Sequence, residues 1–116
     1  MSVTLYHNPR CSKSRAALAL LEEKGVEPEI VEYLKNPPSA AEIKKILKML
    51  NMEPRDLMRK KEKEYSENNL KDPTLTTDDL ITAMVANPKL IERPLVLTGG
   101  KAAVGRPIEN ILEILP

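Results

Sequence analysis

Val3-Thr4-Leu5-Tyr6-His7-Asn8-Pro9-Arg10-Cys11-Ser12-Lys13-Ser14-Arg15 holds a strand, a turn and the opening of a helix in immediate succession. Its first four residues are β-branched, aliphatic and aromatic, the composition of a short buried strand. Asn-Pro breaks the run. From Ser12 onward Ala17, Leu18, Leu20 and Leu21 supply the apolar side chains of a helix over about 12–24, with Gly25 as its stop. Cys11, the only cysteine in the chain, therefore falls where strand becomes helix, at or next to the N-cap. Free backbone N–H groups and the positive end of the helix macrodipole converge there and favour an anion. A thiol of pKa near 8.5 is only ~3% thiolate at pH 7, and a pKa of about 6 would make it roughly 90%. Arg10, Lys13 and Arg15 add positive charge nearby. A buried structural cysteine usually has apolar sequence neighbours; Pro-Arg before Cys11 and Ser-Lys-Ser after it favour a reactive thiol.

Outward from this stretch, Glu29-Ile30-Val31-Glu32-Tyr33-Leu34 reads as a second strand, ended by Asn36-Pro37-Pro38. Ser39-Ala40-Ala41-Glu42 is a capping box, and Ile43, Ile46, Leu47 and Leu50 behind it keep the spacing of a helix with one apolar face. Pro54 suits the first position of a short helix holding Leu57 and Met58 and closed by Arg59. Residues 59–73 are mostly polar, which fits either a solvated surface segment or a movable cover over a site. Thr76-Thr77-Asp78-Asp79 caps a further helix that carries Leu80, Ile81, Met84 and Val85 and ends at Pro88. Arg93-Pro94-Leu95-Val96-Leu97-Thr98, Gly99-Gly100 and Lys101-Ala102-Ala103-Val104 form a strand, a tight turn and a strand. Gly105-Arg106-Pro107 then introduces a last helix with Ile108, Ile111, Leu112 and Leu115 at helical spacing.

The order β-α-β, then helices, then β-β-α implies parallel strands in the first half and an antiparallel hairpin in the second. The expected fold is α/β: a thioredoxin-like four-stranded mixed sheet with a helical insertion at about 39–87, all in one domain over 1–116. In such a sheet the turn after the first strand, at its C-terminal end, is the site.

Composition excludes several classes. Lys and Arg total 18 against 17 acids, so there is no basic field to gather nucleic acid. Three tyrosines, with no Trp or Phe, leave no stacking platform for single strands. One Cys and one His are too few for a structural zinc site, so no metal is expected. No apolar run approaches the ~18 residues of a membrane helix. A lone cysteine and no signal peptide before the first strand fit a cytoplasmic protein.

Arg93 stands before Pro94, a bond that can be cis, and Arg106 stands between Gly105 and Pro107. Both lie at the ends of the hairpin, one end of which should border the first strand-helix turn. A thiolate beside guanidinium groups suits a tetrahedral oxyanion, because the planar fork binds two oxygens at once and stays charged. His7 is either a polar residue at a strand end or a charge partner lowering the thiol's pKa. Ser14, one helical turn after Cys11, either hydrogen-bonds the thiolate or is an ordinary first-turn serine.

Five blocks in this chain resemble the glutaredoxin-linked arsenate reductases: Tyr6 to Arg15, Tyr33-Leu34-Lys35-Asn36-Pro37-Pro38, Leu57-Met58-Arg59-Lys60, Arg93-Pro94-Leu95-Val96 and Gly105-Arg106-Pro107. They fall in order along essentially the whole chain. The resemblance implies Cys11 as nucleophile, Arg59, Arg93 and Arg106 as the oxyanion-binding arginines, and His7 and Ser14 as supports of the thiolate. It also implies a cis bond at Pro94. The implied reaction is reduction of arsenate to arsenite through a cysteinyl arsenate adduct, with no bound cofactor. Glutathione is then the thiol co-substrate and glutaredoxin the partner that regenerates the cysteine. Longer members of that family run on past the position of Pro116.

Two other classes share parts of the pattern. Spx-type regulators that bind RNA polymerase typically carry Cys-x-x-Cys at the first block, where this chain has Cys11-Ser12-Lys13-Ser14. Monothiol glutaredoxins resemble Cys-Gly-Phe-Ser there, and the Gly-Phe is missing. The chemistry of the site, more than the fold they share, separates these classes.

Overall fold

The structure, a computed structural model, describes residues 2–115. Its contacts fall into two compact units: the chain up to Asn36 together with the chain from Arg93 onward, and Pro37–Glu92 between them. The second unit spans the stretch read from the sequence as a helical insertion at about 39–87.

The first unit holds the sheet. Strands β1 (Val3–Tyr6), β2 (Glu29–Val31), β3 (Leu95–Thr98) and β4 (Lys101–Val104) lie in the order β2-β1-β3-β4. β1 runs parallel to β2 and antiparallel to β3, and β3 runs antiparallel to β4, the mixed arrangement expected. Between β1 and β2 runs helix α1 (Ser12–Glu23). A Schellman cap ends it: Gly25 N–H donates to the Glu22 carbonyl and Val26 N–H to that of Leu21, with Gly25 at φ +75°. Val3, Leu5, Ala17, Leu21, Val96 and Ile111 form the buried core of this unit. Gly99 and Gly100, at φ +56° and +79°, make the primed turn that matches the twist of the β3-β4 hairpin.

Three local expectations change. β2 stops at Val31, because the Glu32 carbonyl accepts from both Lys35 N–H and Asn36 N–H and turns the chain. β3 begins at Leu95, not Arg93. The last helix is a 3₁₀ segment, Ile108–Glu113. With three residues per turn, Ile108, Ile111 and Ile114 face the core, and Leu112 rotates out to 41% exposure.

The second unit contains α2 (Ala40–Leu50), α3 (Lys63–Glu67) and α4 (Thr77–Ala86), with 3₁₀ turns at Pro54–Leu57 and Pro88–Leu90. Both predicted capping boxes are formed, at Ser39/Glu42 and Thr76/Asp79. α4 ends at Ala86, and Pro88 starts the next turn instead of stopping the helix. α3 lies in the polar stretch where no helix was expected. Leu70, 3% exposed, anchors the end of that stretch, and Arg55 donates to the carbonyls of Leu70 (3.0 Å) and Asp72 (2.6 Å). Among the described residues no helix is long and apolar enough to cross a membrane.

Gly105 is buried at the base of the hairpin. A Cβ there would lie 2.8 Å from both Ile111 Cδ1 and Pro94 Cγ. The proline ring cannot swing aside, and Ile111 is fully buried. Gly105→Ala should therefore cost about 1–3 kcal/mol, the usual penalty of overpacking. Thermal unfolding should show the midpoint lowered by roughly 4 °C or more; an unchanged midpoint would show that this corner has slack.

Candidate active site

The antiparallel register sets Tyr6 opposite Leu95, so the end of β1 and the start of β3 lie side by side. The loop leaving β1 carries Cys11, and the residues just before β3 are Arg93 and Pro94. Fold topology alone thus delivers Arg93 to the cysteine. The Arg93–Pro94 and Arg106–Pro107 peptide bonds are both cis.

Cys11 is the N-cap of α1, with extended backbone (φ −93°, ψ 122°), and it is 8% exposed. Its thiol has a pKa below the ordinary value. Burial, the largest single influence, pushes it up; the Ser14 backbone N–H, a hydrogen bond from Arg93, the charge of that guanidinium and the Lys13 backbone N–H together outweigh burial. Two Arg93 nitrogens, Nε and Nη1, are buried and have no hydrogen-bond partner. Buried donors left unpaired are costly, and an acceptor placed here would relieve that cost. Arg106 lies at the same corner: its Nε donates to the Arg93 carbonyl at 2.7 Å.

His7 and Ser14 are hydrogen-bonded to each other. The Ser14 side chain is engaged with the loop: its Oγ shares a 2.7 Å hydrogen bond with His7 Nδ1 and accepts from Asn8 N–H at 3.0 Å. Ser14 reaches the thiolate through its backbone N–H instead. His7 has a pKa below the usual histidine value, chiefly because it is buried, with Arg15 lowering it further against an opposing pull from Glu32. Burial thus favours the neutral imidazole, which is hydrogen-bonded to Ser14. The pair ties the loop to the first turn of α1.

Arg59 belongs to the second unit, where its guanidinium pairs with Glu62 at 2.5 Å and its N–H donates to the Leu90 carbonyl. It lies two residues beyond the 3₁₀ turn it was expected to close, past the bridge between Met58 and Ile91.

One residue escaped the sequence reading as part of the site, and Arg15 does more there than add charge. Asn8 braces the loop three ways: its side-chain oxygen accepts from Arg10 N–H, its carbonyl accepts from Cys11 N–H, and its own N–H goes to Ser14. The Asx-turn propensity of an asparagine before proline was the available signal. Arg15 clamps the Pro9 carbonyl from one turn inside the helix, at 2.9 Å. Among the described residues no group of His, Cys, Asp and Glu could hold a metal.

The match to known proteins covers nearly all of this architecture: residues 6–114 fit the ArsC family. The chain belongs to the ArsC family. This ArsC chain is 57% identical over 114 residues to a protein of Escherichia coli (strain K12) named uncharacterized protein YfgD, spanning 97% of the one and 96% of the other. It is 51% identical over 114 residues to an arsenate reductase of Neisseria meningitidis (serogroup B), spanning 97% of each. The solved structure of an arsenate reductase from Vibrio cholerae superposes with a TM-score of 0.97 at 52% identity, over 99% of this chain and 98% of that one. The thioredoxin-like ArsC fold is thereby shown.

The lowered pKa has a direct kinetic consequence. Only the thiolate alkylates, so the rate of iodoacetamide labelling follows the thiolate fraction and rises as pH climbs through the folded-state pKa. The midpoint of that rise in this ArsC chain should lie below the usual thiol range, and in 6 M urea it should move back up. A midpoint that does not move on unfolding would mean that α1 and Arg93 leave the thiol unperturbed.

Proposed function

We propose that the chain is an arsenate reductase in which Cys11 alone attacks the substrate and glutathione and glutaredoxin supply the remaining thiols. The observation that carries this reading is the buried, unpartnered Nε and Nη1 of Arg93 beside a thiol whose pKa is lowered by a helix N-terminus. Donors arranged in this way suit a tetrahedral oxyanion and can stabilise charge as it builds on its oxygens. The arsenate reductases among its relatives give the oxyanion its identity.

The chemistry follows from electron counting. The Cys11 sulfur bonds to arsenic, and an arsenate oxygen leaves as water after taking up protons; arsenic stays pentavalent. Reduction to arsenite then needs two electrons, which two thiols provide by becoming one disulfide. This chain has one cysteine, so it cannot form that disulfide alone, and a glutathione and a glutaredoxin thiol complete it. Hydrolysis of the remaining S–As bond frees arsenite and the Cys11 thiol. Arg106 joins Arg93 in holding the oxyanion; Arg59 enters this reading through its sequence motif alone. A reducing cytoplasm is the matching location.

Arsenate-dependent NADPH oxidation, measured with glutathione, glutaredoxin and glutathione reductase, tests the proposal. Sustained turnover is expected. Turnover of a glutathione mixed disulfide with none of arsenate would make the chain a monothiol glutaredoxin-like oxidoreductase instead.

A further inference from the structure

A groove of about 380 Å³ lies between the first turns of α1 and the segment that follows β4, lined by Lys13, Ala16, Arg106, Pro107, Ile108 and Glu109. We propose that this groove binds glutathione and is the subsite from which it reaches the cysteinyl adduct; the role given to it there rests on the function proposed above.

Two connections tie the groove to the thiol. Lys13 presents its backbone N–H to Cys11 while its side chain lines the groove. Arg106, at the opposite wall, bonds the carbonyl of Arg93, and Arg93 hydrogen-bonds Cys11. The two walls of the groove are thus linked to the reacting sulfur, one through Lys13 and the other through Arg106 and Arg93.

The charges match this tripeptide. Glutathione at neutral pH carries two carboxylates and one ammonium. The groove offers two cations, Lys13 and Arg106, the second shared with the oxyanion of the proposed reaction, and one carboxylate, Glu109. Among the described residues neither Lys13 nor Glu109 takes part in an ion pair, so both charges remain available. Between them Ala16, Pro107 and Ile108 form an apolar floor for the tripeptide's methylenes, and the size falls within the range of small-molecule sites. The other groove beside the thiol loop, lined by Asn8, Arg10, Glu32, Leu34 and Lys35 among others, is the rival location.

The test uses the full chain, ¹⁵N-labelled, titrated with S-methylglutathione, which cannot react. Saturable shifts are expected at the amides of Lys13, Ala16, Ile108 and Glu109. Ala16→Trp, which fills the floor, and Glu109→Lys, which reverses one charge, should each weaken binding about tenfold or more, near 1.4 kcal/mol. In the coupled assay Ala16→Trp should raise the KM for glutathione by a similar factor and leave that for arsenate unchanged. Glu109→Lys serves the same purpose should the tryptophan disturb folding. Shifts centred on Asn8, Arg10 and Lys35, no saturable binding at all, or an unchanged glutathione KM in these variants would each overturn the subsite. Binding in the groove by a chain that turns over no arsenate would support the subsite and refute the reductase; turnover with an unaltered glutathione KM would do the reverse.

Discussion

Cys11→Ser is expected to reduce arsenate-dependent NADPH oxidation to the uncatalysed background, a loss of about 10³-fold or more for removal of a nucleophile. Serine is close in size, so the N-cap geometry and the Ser14 and Lys13 N–H groups should persist. Its hydroxyl, however, titrates far above any thiol, so no thiolate is present to form the S–As bond. Under the function proposed above, oxyanion binding is a separate property, carried by Arg93 and the helix N-terminus. Calorimetric titration of the serine variant with arsenate should therefore still show binding while turnover is gone. Substantial turnover by this variant would remove the single-thiolate mechanism, whatever becomes of the fold.

Arg93→Lys should lower kcat/KM for arsenate at least about tenfold, or roughly 1.4 kcal/mol of transition-state stabilisation. Charge is kept in this change and shape is lost. The guanidinium donates to Cys11 and still has Nε and Nη1 unpaired; an ammonium cannot present several donors fixed in one plane. The same substitution removes a hydrogen bond to the thiolate, so the alkylation midpoint should rise as well. The two readouts separate the roles. A raised midpoint with unchanged kcat/KM would confine Arg93 to the thiol, and a lowered kcat/KM with an unmoved midpoint would confine it to the oxyanion.

Periodicity and turn chemistry made most of the fold legible. α1 and its glycine stop, the two capping boxes and the Gly-Gly hairpin depend on residues within a few positions of each other, and all appear in the structure. The failures have a common cause. Ile108, Ile111, Leu112 and Leu115 suit an α-helix, yet Ile108, Ile111 and Ile114 suit a 3₁₀ segment equally well, and packing against Val3, Leu5 and Val96 selects the second. The end of β2 was set by hydrogen bonds to one carbonyl, that of Glu32, which side-chain type does not announce. The pairing of Arg59 with Glu62 was equally hidden, because Glu62, Glu64 and Glu67 all follow it in one polar run.

By itself the sequence determined that the chain has one thiol, that this thiol sits at a strand-to-helix turn, and that arginines precede two prolines near a hairpin. These are local facts, carried by composition and by spacings of a few residues. Only the tertiary structure decided which groups face that thiol. The β1-β3 register brings Arg93 across some 80 residues of chain to Cys11, whereas Ser14, three residues away, turns its hydroxyl to His7 and offers only its N–H. Side-chain direction and long-range pairing depend on how buried polar groups find partners, and that competition is resolved only once the whole sheet and its helix have packed.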